Sequence, residues 1–288
     1  MSRPPTLTLP PCARAYRLGT ERGAFAVHDA RPAAAPLGTA LLVPGFTGSK
    51  EDFIGLLAPL AAAGFRAVAV DGRGQHETPG PRDQPAYEQR ELALDVLAQA
   101  RALGEPGGGP LHLLGHSLGG LITRAAVLCD PAPFRTLTVL SSGPAAIDPA
   151  QQARVRMLID ALGRMDMARV WEAMRALDPP EAADADTPPE VGAFLRQRWL
   201  NTVPEQLIAT GRQMLAEPDR VAELARTGLP VHVVSGAVDY AWPVPLMDDM
   251  ARRLAARRTV IEDAEHSPNA ERPDKTAQAL SGFWSEFG

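Results

Sequence analysis

Cysteine and lysine are scarce in this chain, and the two shortages narrow the class of protein. Only Cys12 and Cys129 occur among the 288 residues, and their wide separation argues against a disulfide scaffold. Lys50 and Lys275 are the only lysines, so arginine supplies nearly all of the positive charge. Acidic residues still outnumber basic ones, and the net charge is −5. A nucleic-acid-binding surface is therefore not expected.

Long apolar runs are missing as well. No stretch of about 18 apolar residues exists, so no segment is expected to span or bind a membrane. The first residues, which include Arg3, Pro4 and Pro5, lack the apolar core of a signal peptide, and we therefore expect a cytoplasmic location. With 45% hydrophobic and 22% charged residues, the composition is that of a globular protein with one large core.

Short apolar stretches alternate with segments of helical periodicity along most of the chain. This pattern predicts an antiparallel hairpin and six further strands, with helices between them and a closing helix at about residues 275–287. The hairpin strands lie near residues 16–18 and 25–28, and the others at 39–43, 65–70, 110–114, 136–140, 231–234 and 259–261. Continuously apolar strands that alternate with helices indicate a mostly parallel sheet covered on both faces. The predicted fold class is therefore α/β, with an eight-stranded sheet flanked by helices.

Residues 145–216 depart from this alternation. They show no strand pattern but contain several amphipathic helical stretches. Because this insertion falls between two predicted strands, we expect a helical cap over the carboxyl edge of the sheet, with residues 1–144 and 217–288 forming the core. Most of its large apolar side chains are expected to form the cap's own core and the rest to line a pocket, for which Trp171 and Trp199 are candidates.

A serine bracketed by glycines follows one of the predicted strands. The pentapeptide GHSLG at residues 115–119, with Ser117 at its centre, lies between the apolar strand at 110–114 and a stretch of helical spacing at 120–128. A serine on such a sharp strand-to-helix turn is a nucleophile elbow. Glycine suits positions 115 and 119 because larger side chains there would collide with the crossing strand and helix.

With these features the chain resembles the α/β-hydrolase superfamily, in particular its capped esterases and haloperoxidase-like members, over roughly residues 20–288. The order of nucleophile, acid and base in that family implies these roles for Ser117, Asp239 and His266. Asp239 follows the strand after the cap, and His266 follows the last strand. Some members place the acid after the strand that precedes the cap, and Asp148 of this chain is the alternative there.

The resemblance also implies an oxyanion hole built from two backbone N–H groups. One is expected from Leu118, which follows the nucleophile, and the other from Phe46 in the Gly-rich turn at residues 44–49. Pro44 stands where related enzymes have His, a departure that leaves the Phe46 N–H in place. Trp242, three residues after the candidate acid, is a third candidate for the substrate pocket.

The expected activity is that of a serine hydrolase that needs no cofactor or metal and cleaves a small, largely apolar ester or similar acyl compound. An acyl-enzyme would form on Ser117, and water activated by His266 would release it. C–C bond hydrolysis and acyl transfer, perhydrolysis included, could use the same residues, and a non-catalytic ligand-binding protein is a remote alternative. Haloalkane dehalogenases and epoxide hydrolases are disfavoured because they have Asp in place of Ser117.

Overall fold

One eight-stranded sheet organises the molecule. The structure, a computed structural model, describes residues 1–104, 109–177 and 187–288. The strands are β1 (Ala13–Thr20), β2 (Gly23–Ala30), β3 (Gly38–Val43), β4 (Phe65–Val70), β5 (Leu111–His116), β6 (Thr136–Leu140), β7 (Val231–Gly236) and β8 (Arg257–Ile261). Their order is β1-β2-β4-β3-β5-β6-β7-β8. The β1–β2 and β2–β4 pairs are antiparallel and the remaining pairs parallel, so the predicted mostly parallel sheet is confirmed.

Helices cover both faces of this sheet. In the described residues they are α1 (Ile54–Ala62), α2 (Gln89–Leu103), α3 (Leu118–Cys129), α4 (Pro149–Leu162), α5 (Met167–Leu177), α6 (Pro189–Asn201), α7 (Pro204–Ala216), α8 (Val221–Ala225), α9 (Val244–Leu254), α10 (Pro268–Glu271) and α11 (Pro273–Trp284). Short 3₁₀ turns occupy Lys50–Phe53, Gln84–Tyr87 and Ser285–Phe287. Within the described ranges, no helix is both long and apolar enough to pass through a bilayer.

Alternation along the strands divides the core into two layers. Leu41 of β3 packs in the cluster beneath α2, α3 and α9, whereas its neighbour Leu42 packs in the cluster beneath α1 and α11. Leu113 and Leu114 of β5 divide in the same way. Because both faces are covered, β5 and its neighbours are buried along their whole length, and their carboxyl ends open onto one edge of the sheet.

In the described residues five helices lie between β6 and β7, and the first four of them, α4 to α7, fall within the predicted cap. Their apolar side chains form a separate cluster around Trp199, Leu207 and Ile208. Backbone hydrogen bonds tie the segment to the loops at the carboxyl edge: the Asp148 N–H donates to the Ala241 carbonyl at 2.8 Å. Residues 178–186 of the predicted cap lie outside the described residues, and the division into core and cap at residues 145–216 stays a prediction.

Candidate active site

Ser117 lies on a sharp turn between β5 and α3. Its backbone φ of 55° and ψ of −120° are strained for a residue with a side chain. The Ser117 N–H donates to the Leu140 carbonyl of β6 at 2.9 Å, which fixes the turn at the carboxyl edge of the sheet. A Cβ at Gly115 would collide with the Gly119 carbonyl, and a Cβ at Gly119 with the Val43 carbonyl, so the turn requires both glycines.

Ser117, His266 and Asp239 form a hydrogen-bonded chain. Nε2 of His266 lies 3.0 Å from Ser117 Oγ, and Nδ1 lies 2.9 Å from Asp239 Oδ2. The second carboxylate oxygen, Oδ1, accepts the backbone N–H groups of Ala241 at 2.8 Å and Trp242 at 3.0 Å. An ionised carboxylate only accepts, so Nδ1 donates to Asp239 and Nε2 accepts the serine hydroxyl proton. This tautomer is the one in which the imidazole can remove that proton.

Asp148, the alternative acid, points elsewhere. Its Oδ1 accepts the N–H of Ala150 at 2.9 Å, and the side chain caps the N-terminus of α4. The backbone N–H of Asp148 bonds to Ala241, which lies in the loop of Asp239. The carboxylate of Asp148 makes no described contact with that loop. Of the two acids, Asp239 is the one hydrogen-bonded to His266.

A second histidine, which the sequence pattern did not mark as functional, supports the His266 loop. Nε2 of His116 lies 2.8 Å from the carbonyl oxygen of His266, and the two rings lie 5.2 Å apart. Burial lowers the pKa of His116 to about 3, so the ring is neutral and donates through Nε2. The ring of Tyr240, which is half exposed, lies 4.9 Å from the His266 ring on the solvent side.

The two predicted oxyanion donors lie close to the serine. Leu118 is the first residue of α3, so its N–H has no acceptor inside the helix. The turn at residues 44–49 touches the elbow, since a Cβ at Gly45 would lie 3.1 Å from the Cβ of Ser117. In the described part of the chain, the Phe46 N–H donates to no acceptor. Both N–H groups are thus available beside Ser117.

A cavity of about 150 Å³ opens at Ser117 and His266. The sheet edge and the helical segment both contribute polar and apolar side chains to it, and three residues of the segment, Ile147, Val155 and Met214, form an apolar wall. From the loops come Gly45, Phe46, Thr47, Asp52, His116, Tyr240, Ala241 and Ser267, from the helical segment Ile147, Gln151, Val155 and Met214, and from the chain start Met1 and Ser2. An engineered apolar cavity of this volume holds benzene, so the space fits a group of about six non-hydrogen atoms.

Comparisons with known proteins identify the family of the chain. The profile of the alpha/beta hydrolase family matches residues 40–279. The chain belongs to the α/β-hydrolase family. It is 28% identical over 243 residues to a pimeloyl-[acyl-carrier protein] methyl ester esterase of Aeromonas hydrophila, covering 79% of this chain and 88% of that protein.

Two further similarities extend the comparison. A 3-oxoadipate enol-lactonase of Acinetobacter baylyi is 22% identical over 260 residues, covering 83% of this chain and 86% of the lactonase. Among solved structures, a thermophilic esterase from Thermogutta terrifontis matches with a TM-score of 0.74 at 23% identity, covering 96% of this chain and 99% of the other. This last likeness shows a shared fold.

The three tryptophans proposed for the substrate pocket of this α/β hydrolase are absent from the described lining of the cavity. Trp242 is fully buried, and its Nε1 donates to the Ala145 carbonyl at 2.8 Å. Trp199 donates to the Met167 carbonyl at 2.7 Å, and its ring lies 6.4 Å from that of Trp171. The structure therefore places all three in packing positions rather than at the cavity.

A buried ion pair joins the helical segment to the core beside the cavity. Nη1 of Arg198, in α6, donates to Asp52 Oδ1 at 2.6 Å, and Nη2 donates to the carbonyl of Ser2 at 2.9 Å. Both charged side chains are almost completely buried, and burial raises the pKa of Asp52. No local pattern indicates this pair, because its members are 146 positions apart and each resembles an ordinary surface charge.

Among residues 1–104, 109–177 and 187–288, no three or more His, Cys, Asp and Glu side chains are grouped to hold a metal ion. His112 pairs instead with Thr136 through Nδ1 at 2.9 Å. Cys12 and Cys129 are both free thiols.

Proposed function

We propose that this α/β hydrolase cleaves small carboxylic esters through an acyl-enzyme on Ser117. The observation that most directly supports this is the chain from Asp239 through His266 to Ser117, with successive separations of 2.9 Å and 3.0 Å. The similarity to a methyl ester esterase and an enol-lactonase supports ester hydrolysis as the activity.

The proposed reaction begins with proton transfer from Ser117 Oγ to Nε2 of His266 as Oγ attacks the ester carbonyl carbon. The carbonyl oxygen becomes negatively charged and accepts the N–H groups of Phe46 and Leu118. The tetrahedral intermediate then expels the alcohol, which takes the proton from Nε2, and leaves the acyl group on Oγ. Water gives a proton to the same nitrogen, attacks the acyl-enzyme, and releases the carboxylic acid as Oγ regains its proton.

Asp239 would act through the histidine. Its Oδ2 holds the Nδ1–H of His266, which fixes the ring orientation and stabilises the imidazolium formed during each attack. The bonds from Ala241 and Trp242 to Oδ1 hold the carboxylate in place while the charge on the ring changes.

Helices α4 to α7 would act as the cap that selects the ester. Ile147, Val155 and Met214 form an apolar wall opposite the loops that bear Ser117 and His266. The cavity of about 150 Å³ favours a short acyl or alcohol group, because a longer chain would have to displace this wall. We therefore propose a small, largely apolar ester as the substrate and residues 145–216 as the cap.

A fluorophosphonate probe tests the proposal, because it reacts with activated serines. Wild-type protein should gain one adduct on Ser117, detected by mass spectrometry, and Ser117→Ala should gain none. Hydrolysis of p-nitrophenyl butyrate should fall about 10⁶-fold in Ser117→Ala if the three residues act as a unit.

Ser142→Ala is the matched control, because Ser142 is fully buried near the end of β6 and lies outside the described cavity lining. This variant should label and turn over like wild type. An adduct that persists in Ser117→Ala, or hydrolysis within tenfold of wild type, would contradict the proposal.

A further inference from the structure

A buried glutamine contacts the peptide unit that supplies the Phe46 N–H. Gln75 lies in the loop after β4, and its side chain is almost fully buried. Nε2 donates to the Gly45 carbonyl at 3.0 Å, and Oε1 accepts the Gly72 N–H at 3.0 Å. The second bond settles the orientation of the side-chain amide, since only its oxygen can accept from an N–H group. The NH₂ end therefore faces Gly45.

The Gly45 carbonyl and the Phe46 N–H belong to the same peptide unit. In a trans peptide these two groups point in opposite directions, so an anchor on the oxygen sets the direction of the N–H. The oxygen receives two such bonds, from Gln75 and from the Gly48 N–H at 3.1 Å. Hydrogen bonds to a peptide oxygen also polarise the peptide and strengthen its N–H as a donor.

The loop that contains Gln75 is shaped to hold it there. A Cβ at Gly72 would lie 2.6 Å from Gln75 Oε1, so the glycine leaves room for the side-chain amide. The Gln75 N–H donates to the Gly72 carbonyl at 3.0 Å, and the Gln75 carbonyl accepts the Thr78 N–H at 2.9 Å. Both the backbone and the side chain of Gln75 are thus fixed before any ligand binds.

We infer that Gln75 is a positioning residue for the oxyanion hole. It touches no reacting atom, and it acts by fixing the direction and donor strength of the Phe46 N–H. The inference rests on the proposed function of Ser117. The charge that this N–H stabilises develops only in the transition state, so loss of Gln75 lowers kcat and leaves KM nearly unchanged.

Gln75→Leu removes the donor and keeps most of the volume. Turnover of p-nitrophenyl butyrate should fall about 10- to 100-fold, which is no more than the effect of removing an oxyanion donor completely. KM should stay within about twofold of wild type. Affinity for an alkyl boronic acid, whose adduct with serine is a tetrahedral anion, should fall by the same factor.

Gln99→Leu is the matched control. Gln99 of α2 is equally buried, lines the same internal cavity of about 20 Å³ as Gln75, and makes no described contact with the turn at residues 44–49. The substitution is the same as in Gln75→Leu, and it lies in the same layer of the core. Its kcat and its affinity for the boronic acid should stay within about twofold of wild type.

Gln75→Glu keeps the shape and makes the contact depend on pH. A protonated carboxyl group can donate to the Gly45 carbonyl, whereas an ionised one repels it. We expect kcat of this variant to fall as pH rises through the pKa of the introduced carboxyl. Wild-type kcat should show no such fall over the same pH range, because the amide of Gln75 does not ionise. This variant also serves if Gln75→Leu does not fold.

Equal losses in Gln75→Leu and Gln99→Leu would overturn the inference, as would a raised KM with unchanged kcat or a wild-type pH profile in Gln75→Glu. In each of those results the wild-type enzyme is active and labels at Ser117, so the proposed function survives. A wild-type protein that neither hydrolyses esters nor labels at Ser117 would overturn the proposed function, and this inference with it.

Discussion

The carboxyl edge of the sheet and the helices α4 to α7 enclose the same cavity, but they are built differently. At the edge, β3 to β7 are buried along their whole length, and the backbone of Ser117 is held in a strained conformation. In the helical segment, α4 buries only Leu162 among its 14 residues, and Val155 reaches the cavity from a partly buried position.

Because of this difference, we expect the sheet edge to determine the reaction rate and the helical wall to determine substrate preference. Contacts at the edge involve backbone atoms that pack without spare room, so a change there alters the geometry of Ser117 or His266 directly. In the helical wall, Ile147 and Met214 are buried against the core of the sheet, whereas Val155 lies on the mostly exposed α4 and can change without disturbing the sheet. We therefore expect substitutions at the edge to alter rate and substitutions in the helical wall to alter which ester is preferred.

The largest effect that tests this contrast is expected from the two candidate acids. Asp239→Asn should lower kcat for p-nitrophenyl butyrate about 10⁴-fold, because the amide neither fixes the productive tautomer of His266 nor stabilises its charged form. Asp148→Asn should change kcat less than about threefold and leave stability nearly unchanged, since Asn caps a helix as well as Asp does. The reverse result would assign the acid role to Asp148 and place it in the helical segment.

The two regions also differ in how much of them the sequence predicted. Strand–helix alternation predicted that the loops bearing Ser117, Asp239 and His266 meet at one edge of the sheet, and the resemblance to the α/β-hydrolase family implied the roles of the three residues. Periodicity in the helical segment indicated apolar faces but not what covers them, so Trp199 was expected at the cavity and lies in a packing position.

Contacts between distant parts of the chain were missed in both regions. Gln75 and Gly45 are 30 positions apart, and Arg198 and Asp52 are 146 apart. A polar residue in a loop has the same local pattern whether its side chain is solvated or fixed by a distant carbonyl. Only the tertiary structure distinguishes the two cases.

The next largest effect is expected where the two regions are joined. Arg198→Met leaves Asp52 buried without its partner, which should lower the free energy of unfolding by about 3–5 kcal/mol. Burial already raises the pKa of Asp52, and loss of the guanidinium should raise it further. A carboxyl whose folded pKa is raised opposes folding when ionised, so the loss should be larger at pH 8 than at pH 5.

Urea unfolding at the two pH values measures this difference, and the double variant Arg198→Met with Asp52→Asn is the control. Removing the unpaired charge should restore part of the stability and remove the pH dependence. A loss that is equal at both pH values would mean that the pair contributes packing rather than charge compensation, and that the two regions are joined mainly by apolar contacts.

The smallest effect concerns selectivity within the helical segment. Val155→Ala removes two carbons from the cavity wall, so the ratio of kcat/KM for p-nitrophenyl hexanoate to that for the butyrate should rise by up to about tenfold. Trp199→Phe removes the indole N–H that donates to Met167 together with part of the buried ring, which should cost about 1–3 kcal/mol of stability and leave the ratio unchanged. Equal shifts in both variants would show that the helices respond as one unit, and the wall would then select substrates through its overall position rather than through the side chains that contact them.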